Sequence, residues 1–513
     1  MNSLDEERTL VERVSFYRVR TLAFVVVVLS ASTARADEDL NIENAQSMTL
    51  DDLFKVAVRA APELQAAAFD AGVAQAKLVA ARGVEDWTAT LATSESRTKR
   101  PASTDRAFSS SLNLTRLLPT NGTVTIAATN TSTEHKEPRA SNKFTILGLS
   151  VALTQPVLAN AGPAVQKAQI RSAAHAATAA TIRRSAIARD FVAAVVEDYW
   201  QLALSWRRLA VHRRSLEAAN KQYATIQRGL TTGAIAKSEA IPFEQVIASR
   251  KIDILNDERD IIVRSIDLRL LVGLEVPENP VIKPLELPAP PTPTLEVGKL
   301  IAESAIISDE LKAAVEDVRT ADATLDATRR NKLPSLDLSV SGEISGLHNS
   351  LTNAFAEIRD TPGYQVTVGA TFAMPIGRRA ATGNYRAARA VAARARFDLM
   401  TQRRAVTAEV VRLSTEVRAN SLTVKLSGEV VKLARQNVEA EIKKFELGKS
   451  TSNDIVLRQL DLDNASLRVE EANAAATISQ VKLEALTGQI LTHYGIRMID
   501  VGRVTSDAFT SAR

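Results

Sequence analysis

GLTTGAIAKSE (Gly229–Glu239), running on to LLVG at Leu270–Gly273, has a counterpart in ELGKSTSND (Glu446–Asp454), running on to ALTG at Ala485–Gly488. Gly233 and Gly448 lie 215 positions apart, and so do Gly273 and Gly488 (448 − 233 and 488 − 273). The carboxylates Glu239 and Asp454 stand in the same register, six residues past their glycines. A fixed spacing over so long a stretch is the signature of an internal repeat. Few identities survive between the copies, so the pattern carries the argument.

The unit extends upstream. TLDDLFKVAVRAAPELQAA (Thr49–Ala67) aligns with EVGKLIAESAIISDELKAA (Glu296–Ala314), with Glu63-Leu64 matching Glu310-Leu311. Each copy changes its apolar period near Trp87 or Pro334 and then reaches a proline corner, Pro156 in LTQPVL or Pro375 in FAMPIG. The order in both copies is helix, strands, long helix, turn, helix. Repeat 1 spans 48–274, with strands over 85–155 and a helix hairpin over 160–272. Repeat 2 spans 295–489, with strands over 333–375 and a hairpin over 383–487. Between them, 275–294 carries seven prolines and reads as a stiff connector. Residues 490–513 form a C-terminal tail.

At 513 residues, 45% apolar and 24% charged, the chain has the composition of folded protein with several layers. Arg18 and Arg20, the apolar run Leu22–Leu29 and Ala34-Arg35-Ala36 make residues 1–36 a signal peptide with an A-x-A cleavage site. The run is about half the 20 residues a membrane-spanning helix needs, which argues against an anchor. The formal charge of +5 is spread along helix faces, so it reads as a solvated surface and not as a nucleic-acid site. The chain has no cysteine, which excludes disulfides and thiol chemistry.

The strand blocks alternate. Tyr364, Val366, Val368, Ala370, Phe372 and Met374 share one face, and Gln365, Thr367, Gly369, Thr371 and Ala373 share the other. Leu336, Leu338, Val340 and Ile344 alternate with Asp337, Ser339, Ser341 and Glu343, and Thr145, Leu147, Leu149, Val151 and Leu153 share a face in the first copy. Strands apolar on one side and small or polar on the other fit a membrane barrel, although a half-buried soluble sheet has the same period. The first block is the longer. Its surplus includes Ser110–Asn130, a hairpin around Pro119–Gly122 that is either barrel wall or an extracellular elaboration.

Helix lengths set the scale. Ala164–Arg228 and Tyr385–Leu447 are unbroken patterns of about 97 and 95 Å at 1.5 Å per residue. Asp51–Val84, Glu239–Val272, Leu295–Thr328 and Asp454–Thr487 each span about 51 Å. Two short helices stacked end to end match one long helix, which describes a tall wall alternating continuous and two-piece helices. At the turns, Gly233 and Gly448 suit the left-handed conformation that closes a helix, and Glu239 and Asp454 suit a helix N-terminus.

VEDYWQLALSWRRLAVHRRSLEAANKQY (Val196–Tyr223), the proline corners and the turns ending in LLVG and ALTG resemble the TolC-like outer-membrane efflux proteins. The resemblance runs from about Met48 to Gln489. It implies a mostly α fold with a membrane β-barrel: an internal two-fold repeat, a long α-helical periplasmic barrel and an outer-membrane β-barrel shared by a homotrimer. It implies a duct of a tripartite efflux pump or type I secretion system in the outer membrane of a Gram-negative bacterium. The partners would be a periplasmic adaptor, an inner-membrane pump and outer-membrane lipid. The adaptor-docking tips would be Arg228, Gly229, Gly233, Lys237, Glu239, Gly448, Lys449 and Asp454. A periplasmic gate would use Asp454 and Asp461; Leu457 stands where the family often has a second aspartate. The other reading is a periplasmic coiled-coil structural or adaptor protein, and a nutrient porin would need more strands and fewer helices.

Other chemistry finds no support. His135, His175, His212, His348 and His493 lack metal-ligand spacing, so no metal or cofactor is expected. GKST at Gly448–Thr451 has Lys443 where a phosphate-binding loop needs its first glycine, and the chain reads as no enzyme.

Overall fold

The computed structural model describes residues 42, 44–137, 139–231, 236–285 and 296–496. The expected signal peptide 1–36, Gly233, the later part of the connector and most of the C-terminal tail lie outside the described residues.

β1 (Gln46–Met48) leads into α1 (Leu50–Ala60) and α2 (Pro62–Arg82). A run of four strands follows: β2 (Thr88–Arg100), β3 (Ser103–Leu117), β4 (Thr123–Glu137) and β5 (Ala140–Pro156). The long helix α3 (Ala168–Thr231) turns into α4 (Ile241–Val272), and β6 (Ile282–Pro284) pairs in parallel with β1. The second repeat runs α5 (Val297–Ile307), α6 (Asp309–Arg330), β7 (Ser335–His348), α7 (Leu351–Asp360), β8 (Gly363–Ala373), α8 (Arg379–Glu446) and α9 (Ser452–Leu486).

The helices ahead of the strands are each two pieces, where the sequence reads as one. At Ala61 the chain goes extended (φ −61°, ψ 120°), because Pro62 opens α2 without an N–H and pushes its predecessor out of the helical region. Ser308 is extended too (φ −51°, ψ 122°), and its hydroxyl accepts from the Leu311 N–H as an N-cap. The breaks are equivalent: Ser308 and Ala61 are as far apart as Glu310 and Glu63 (308 − 61 and 310 − 63, both 247).

Gly273 and Gly488, in left-handed conformations at the ends of α4 and α9, explain why the breaks are needed. A Cβ on Gly273 would run into the Ala60 carbonyl, and one on Gly488 would meet Ile307. Each ascending helix therefore butts against a break, and α1 or α5 is turned aside to make room. The wall that results has α2 stacked over α4, then α3, then α6 stacked over α9, then α8.

The main core lies at mid-height. Phe191, Tyr199, Trp200, Leu202 and Leu209 of α3 pack with Leu53 and Phe54 of α1, Ile261 and Leu268 of α4, and Ile478 and Val481 of α9. The start of the connector is tied in as well. Trp206 Nε1 donates to the Ile282 carbonyl (3.0 Å), and Arg269 Nε donates to that of Pro280 (2.7 Å). Buried carbonyls keep partners this way, and the 275–285 stretch is held as a belt.

All six long strands form one antiparallel sheet in the order β2-β3-β4-β5-β7-β8. The surplus hairpin of the first repeat joins the sheet: β3 and β4 pair along their length from Thr104–Lys136 to Leu117–Thr123. The short helix α7, which the sequence reading does not contain, interrupts the β7–β8 connection. It packs on the side of Gly346, where a Cβ would strike the Ala354 carbonyl.

Candidate functional site

The two helix-hairpin turns meet at the end of the wall remote from the sheet. Ile226, Ala240, Phe243, Ile455 and Val456 bury one another there, with Tyr223, Ile442 and Phe445 packed around them. α8 ends in a Gly448 turn (φ 69°) whose next N–H, from Lys449, closes back on the Lys444 carbonyl (2.9 Å). α9 begins with a capping box. Thr451 Oγ1 accepts from the Asp454 N–H, and Asp454 Oδ2 accepts from the Thr451 N–H (3.1 Å). The Thr451 hydroxyl donates to the same carboxylate oxygen (2.7 Å), and this bond foremost, with the one from the Thr451 N–H, holds the Asp454 carboxyl below the usual carboxylate range.

Glu239 has a different job from its counterpart. Its carboxylate accepts from the Ser452 N–H (2.9 Å) and from the Ser452 hydroxyl, so it caps the helix of the other repeat. The positive end of α9 thus holds both carboxylates, one from each turn. Lys237 and Lys449 are exposed beside them. Arg228 Nε donates to the Ala224 carbonyl along its own helix, and Gly229 lies in the last turn of α3. Gly233 is outside the described residues. Asp461 lies seven residues past Asp454 on the same helix face, is exposed and accepts from Arg458 (3.0 Å); Leu457 is exposed between them.

Above the tips lies a buried polar cluster that no local pattern in the chain marks. Arg250 of α4 reaches Asp463 of α9 (3.0 Å), Ser215 of α3 (3.0 Å) and Asp253 (2.7 Å). Ser215 also donates to Asp463, and Gln459 donates to its other oxygen (3.0 Å). Asp463 is 5% exposed, so its charge is held by partners and not by water. The carboxylate belongs to α9. Its partners lie on two helices distant in the chain.

The sheet sorts its side chains. Leu91, Leu112, Ala128, Leu149, Ile344 and Tyr364 form one continuous row across all six strands. The next row on that face is Ala89, Leu114, Ile126, Val151, Gly342 and Val366. The opposite face carries Thr88, Thr115, Thr125, Ala152, Ser341 and Thr367, then Thr90, Asn113, Ala127, Ser150, Glu343 and Gln365. Tyr364 is 83% exposed and Val368 75%, on a contiguous apolar face of the kind that marks a protein or membrane contact. Pro156 ends β5 and Pro375 follows β8, so both stand at strand-to-helix corners.

Both walls end raw on the same two sides. β2, which follows α2, is one edge of the sheet, and β8, which leads to α8, is the other. In the helical wall α4 exposes Ile252, Leu255, Val263 and Leu270 on one side, and α8 exposes Leu422, Leu426, Val430 and Leu433 on the other. Among the described residues no helix is long and apolar enough to cross a membrane, and no group of acidic and histidine side chains could hold a metal ion.

A family model described as outer membrane efflux protein matches residues 300–489, most of the second repeat. No curated protein matches the sequence. Solved structures do match in fold. The outer membrane protein VceC of Vibrio cholerae is 16% identical, with 86% of this chain and 96% of that one covered at a TM-score of 0.64. The Campylobacter jejuni CmeC outer membrane channel is 12% identical over 88% and 90% of the two chains, at 0.65. The open state of the Neisseria gonorrhoeae MtrE outer membrane channel is 13% identical over 86% and 89%, at 0.62. The fold is that of the TolC-like channels.

Proposed function

We propose that this chain is the exit duct of a tripartite efflux or type I secretion system, set in the outer membrane of a Gram-negative bacterium. Three copies close head to tail, β8 of one against β2 of the next and α8 against the α2–α4 stack. The observation that carries this reading is the pair of raw edges on matching sides of both walls. Backbone N–H and C=O groups at membrane depth must be paired, so a six-stranded sheet with an apolar face has to close on neighbours. A heterologous contact that closes makes a ring. The match of 300–489 to the efflux family and the fold of the channels support the same reading.

The apolar face then meets lipid and the Ser/Thr/Asn face lines water. The helical wall forms a periplasmic tunnel whose turns, with Lys237 and Lys449 exposed, dock a periplasmic adaptor that links to an inner-membrane pump. Asp454, Leu457 and Asp461 form successive rings at the tunnel entrance, where the carboxylates attract cations. The reading is of a transport protein and not of an enzyme.

Detergent-extracted protein in a planar bilayer tests this. Discrete conductances with multivalent-cation block from one side are expected. Protein soluble without detergent and silent in the bilayer would favour the coiled-coil adaptor instead. Unchanged cation block in Asp454→Ala and Asp461→Ala together would remove the gate assignment alone.

A further inference from the structure

The strands of the first repeat run on past the apolar rows, and there their charges sort by face. Six residues beyond Leu91, Leu112, Ala128 and Leu149, about 20 Å along the strands and away from the helices, the same face carries Arg97, Arg106, Glu134 and Lys143 in one row. The last row is Lys99, Thr104, Lys136 and Ser141. With Glu95 one row nearer the apolar ones, this face holds five cations and two carboxylates. The opposite face at this end carries Arg100, Asp105, His135 and Glu137, and both Arg100 and His135 bond to Asp105.

Pairing leaves the apolar side in surplus. Arg106 meets Glu95 (2.6 Å) and Lys136 meets Glu134 (3.4 Å). Arg97, Lys99 and Lys143 are exposed and have no ion pair among the described residues. Arg97 also stands directly opposite Arg106. Like charges so placed on a sheet repel one another. An anion between them turns the repulsion into a clamp, because each guanidinium offers a planar fork that fits a phosphoryl group. Lys99 and Lys136, on either side of Thr104, bring two more cations to the same place.

We propose that Arg97 and Arg106, with Lys99, Lys136 and Lys143 around them, bind the phosphoryl groups of an outer-leaflet glycolipid. This rests on the duct reading above, which turns the apolar face to lipid and sets this end of the sheet at the outer surface. The occupant is a lipid and not a free anion because the basic rows continue the apolar face. Phe108, 40% exposed, lies one row from the clamp, and Leu112 and Leu91 lie beyond it. Acyl chains along those leucines leave the phosphoryl head at the arginines. The rows between hold Thr93, Ser110, Asn130 and Ser132, hydroxyl and amide groups that suit sugar and not chains. On the same face of the second repeat, α7 packs by Gly346 and exposes Leu351 and Phe355, one helical turn apart, as an apolar flank.

The test titrates detergent-extracted full chain with diphosphoryl lipid A and with the same glycolipid after phosphatase treatment, reading bound lipid by native mass spectrometry. Inorganic phosphate is added as competitor. Arg97→Gln removes a cation that has no ion pair to disturb, and Arg100→Gln removes one from the same end of the sheet on the opposite face. The unmodified protein is expected to prefer the phosphorylated lipid by about 10-fold or more. Arg97→Gln should lose about 10-fold in affinity for it, Arg100→Gln should keep it, and phosphate at about 10 mM should not compete. Equal binding of the two lipids overturns the site, as does an affinity that Arg97→Gln keeps or that Arg100→Gln loses equally. Competition by phosphate assigns the rows to a free anion and overturns the lipid. Each protein is also placed in a planar bilayer. Conductance without the lipid preference overturns this site and leaves the duct standing, whereas silence of the unmodified protein removes the duct reading and this site with it.

Discussion

The two long helices have nearly the same length and opposite circumstances. α3 runs through the middle of the wall, with helices on both flanks, and buries Phe191, Tyr199, Trp200 and Leu209. α8 forms an edge, buries mainly Val406, Val410, Leu413 and Val417, and leaves Leu422, Leu426, Val430 and Leu433 in the open. The inner helix thus builds the fold of the single chain, and the edge helix, like α4 at the other edge, leaves an apolar surface open. The same contrast separates their charges. Around α3 they are buried and shared between helices, as at Arg250 and Asp463, whereas on α8 Arg412 only bridges Glu409 and Glu416 along its own exposed face.

The largest effect should come from breaking the buried side of this contrast. Arg250→Ala leaves the buried Asp463 without its cationic partner, with only the neutral donors Ser215 and Gln459, and is expected to cost about 3–5 kcal/mol. Arg412→Ala, at an exposed pair, is expected to cost below about 1 kcal/mol. Thermal melting of the two proteins measures this, and equal shifts would erase the distinction between inner and edge helix.

A smaller difference is expected at the equivalent glycines. Both need the left-handed region, which costs a residue with a Cβ about 1 kcal/mol. Gly273→Ala must also push away a backbone carbonyl, whereas Gly488→Ala meets side-chain atoms alone, the Ile307 Cγ2 methyl and, a little further off, the Arg189 guanidinium. The first is expected to destabilise by roughly 2–3 kcal/mol and the second by roughly 1–2 kcal/mol. Reversal of that order in chemical denaturation would mean that the two breaks are not doing the same structural work.

The smallest effect concerns the two turns. Asp454 has its folded pKa lowered by Thr451, so its cap is fully present above the ordinary carboxylate pKa near 3.9 and is lost as pH falls through the lowered value. Hydrogen exchange at the start of α9 should therefore quicken only on acidification below about pH 4, while the mid-height core stays protected. Asp454→Ala should be fast at every pH.

The repeat and the helix scale were legible because glycine turns and unbroken helical periodicity are local signals. The break at Pro62 was legible in principle, since proline opens a helix well and continues one badly, but the periodicity over Asp51–Val84 reads as one helix. Ser308 was less so, because a serine followed by Asp309-Glu310 caps a helix only if the chain has a reason to break there. That reason is Gly488 arriving from the far end of the repeat. The buried polar cluster above the tips shows the same limit. Ser215, Arg250 and Asp463 are ordinary helix-surface residues until three helices bring them together. Of the turn carboxylates, Asp454 caps its own helix as its spacing from Thr451 suggests, but nothing local marks Glu239 as the cap of the other repeat's helix. The short α7 left no trace in the sequence reading, being ten residues between two strands.

In the proposed ring, the open edge of α8 lies against the open edge of α4 in the neighbouring copy. Val263 and Leu426 are exposed on those two edges, 48% and 60%, and the chain brings no cysteine of its own. The most direct measurement is oxidation of a Val263→Cys, Leu426→Cys chain in outer membranes, followed by denaturing electrophoresis. The ring predicts a ladder of covalent species that ends at three copies. Uncrosslinked monomer, or a product that stops at two, would contradict it.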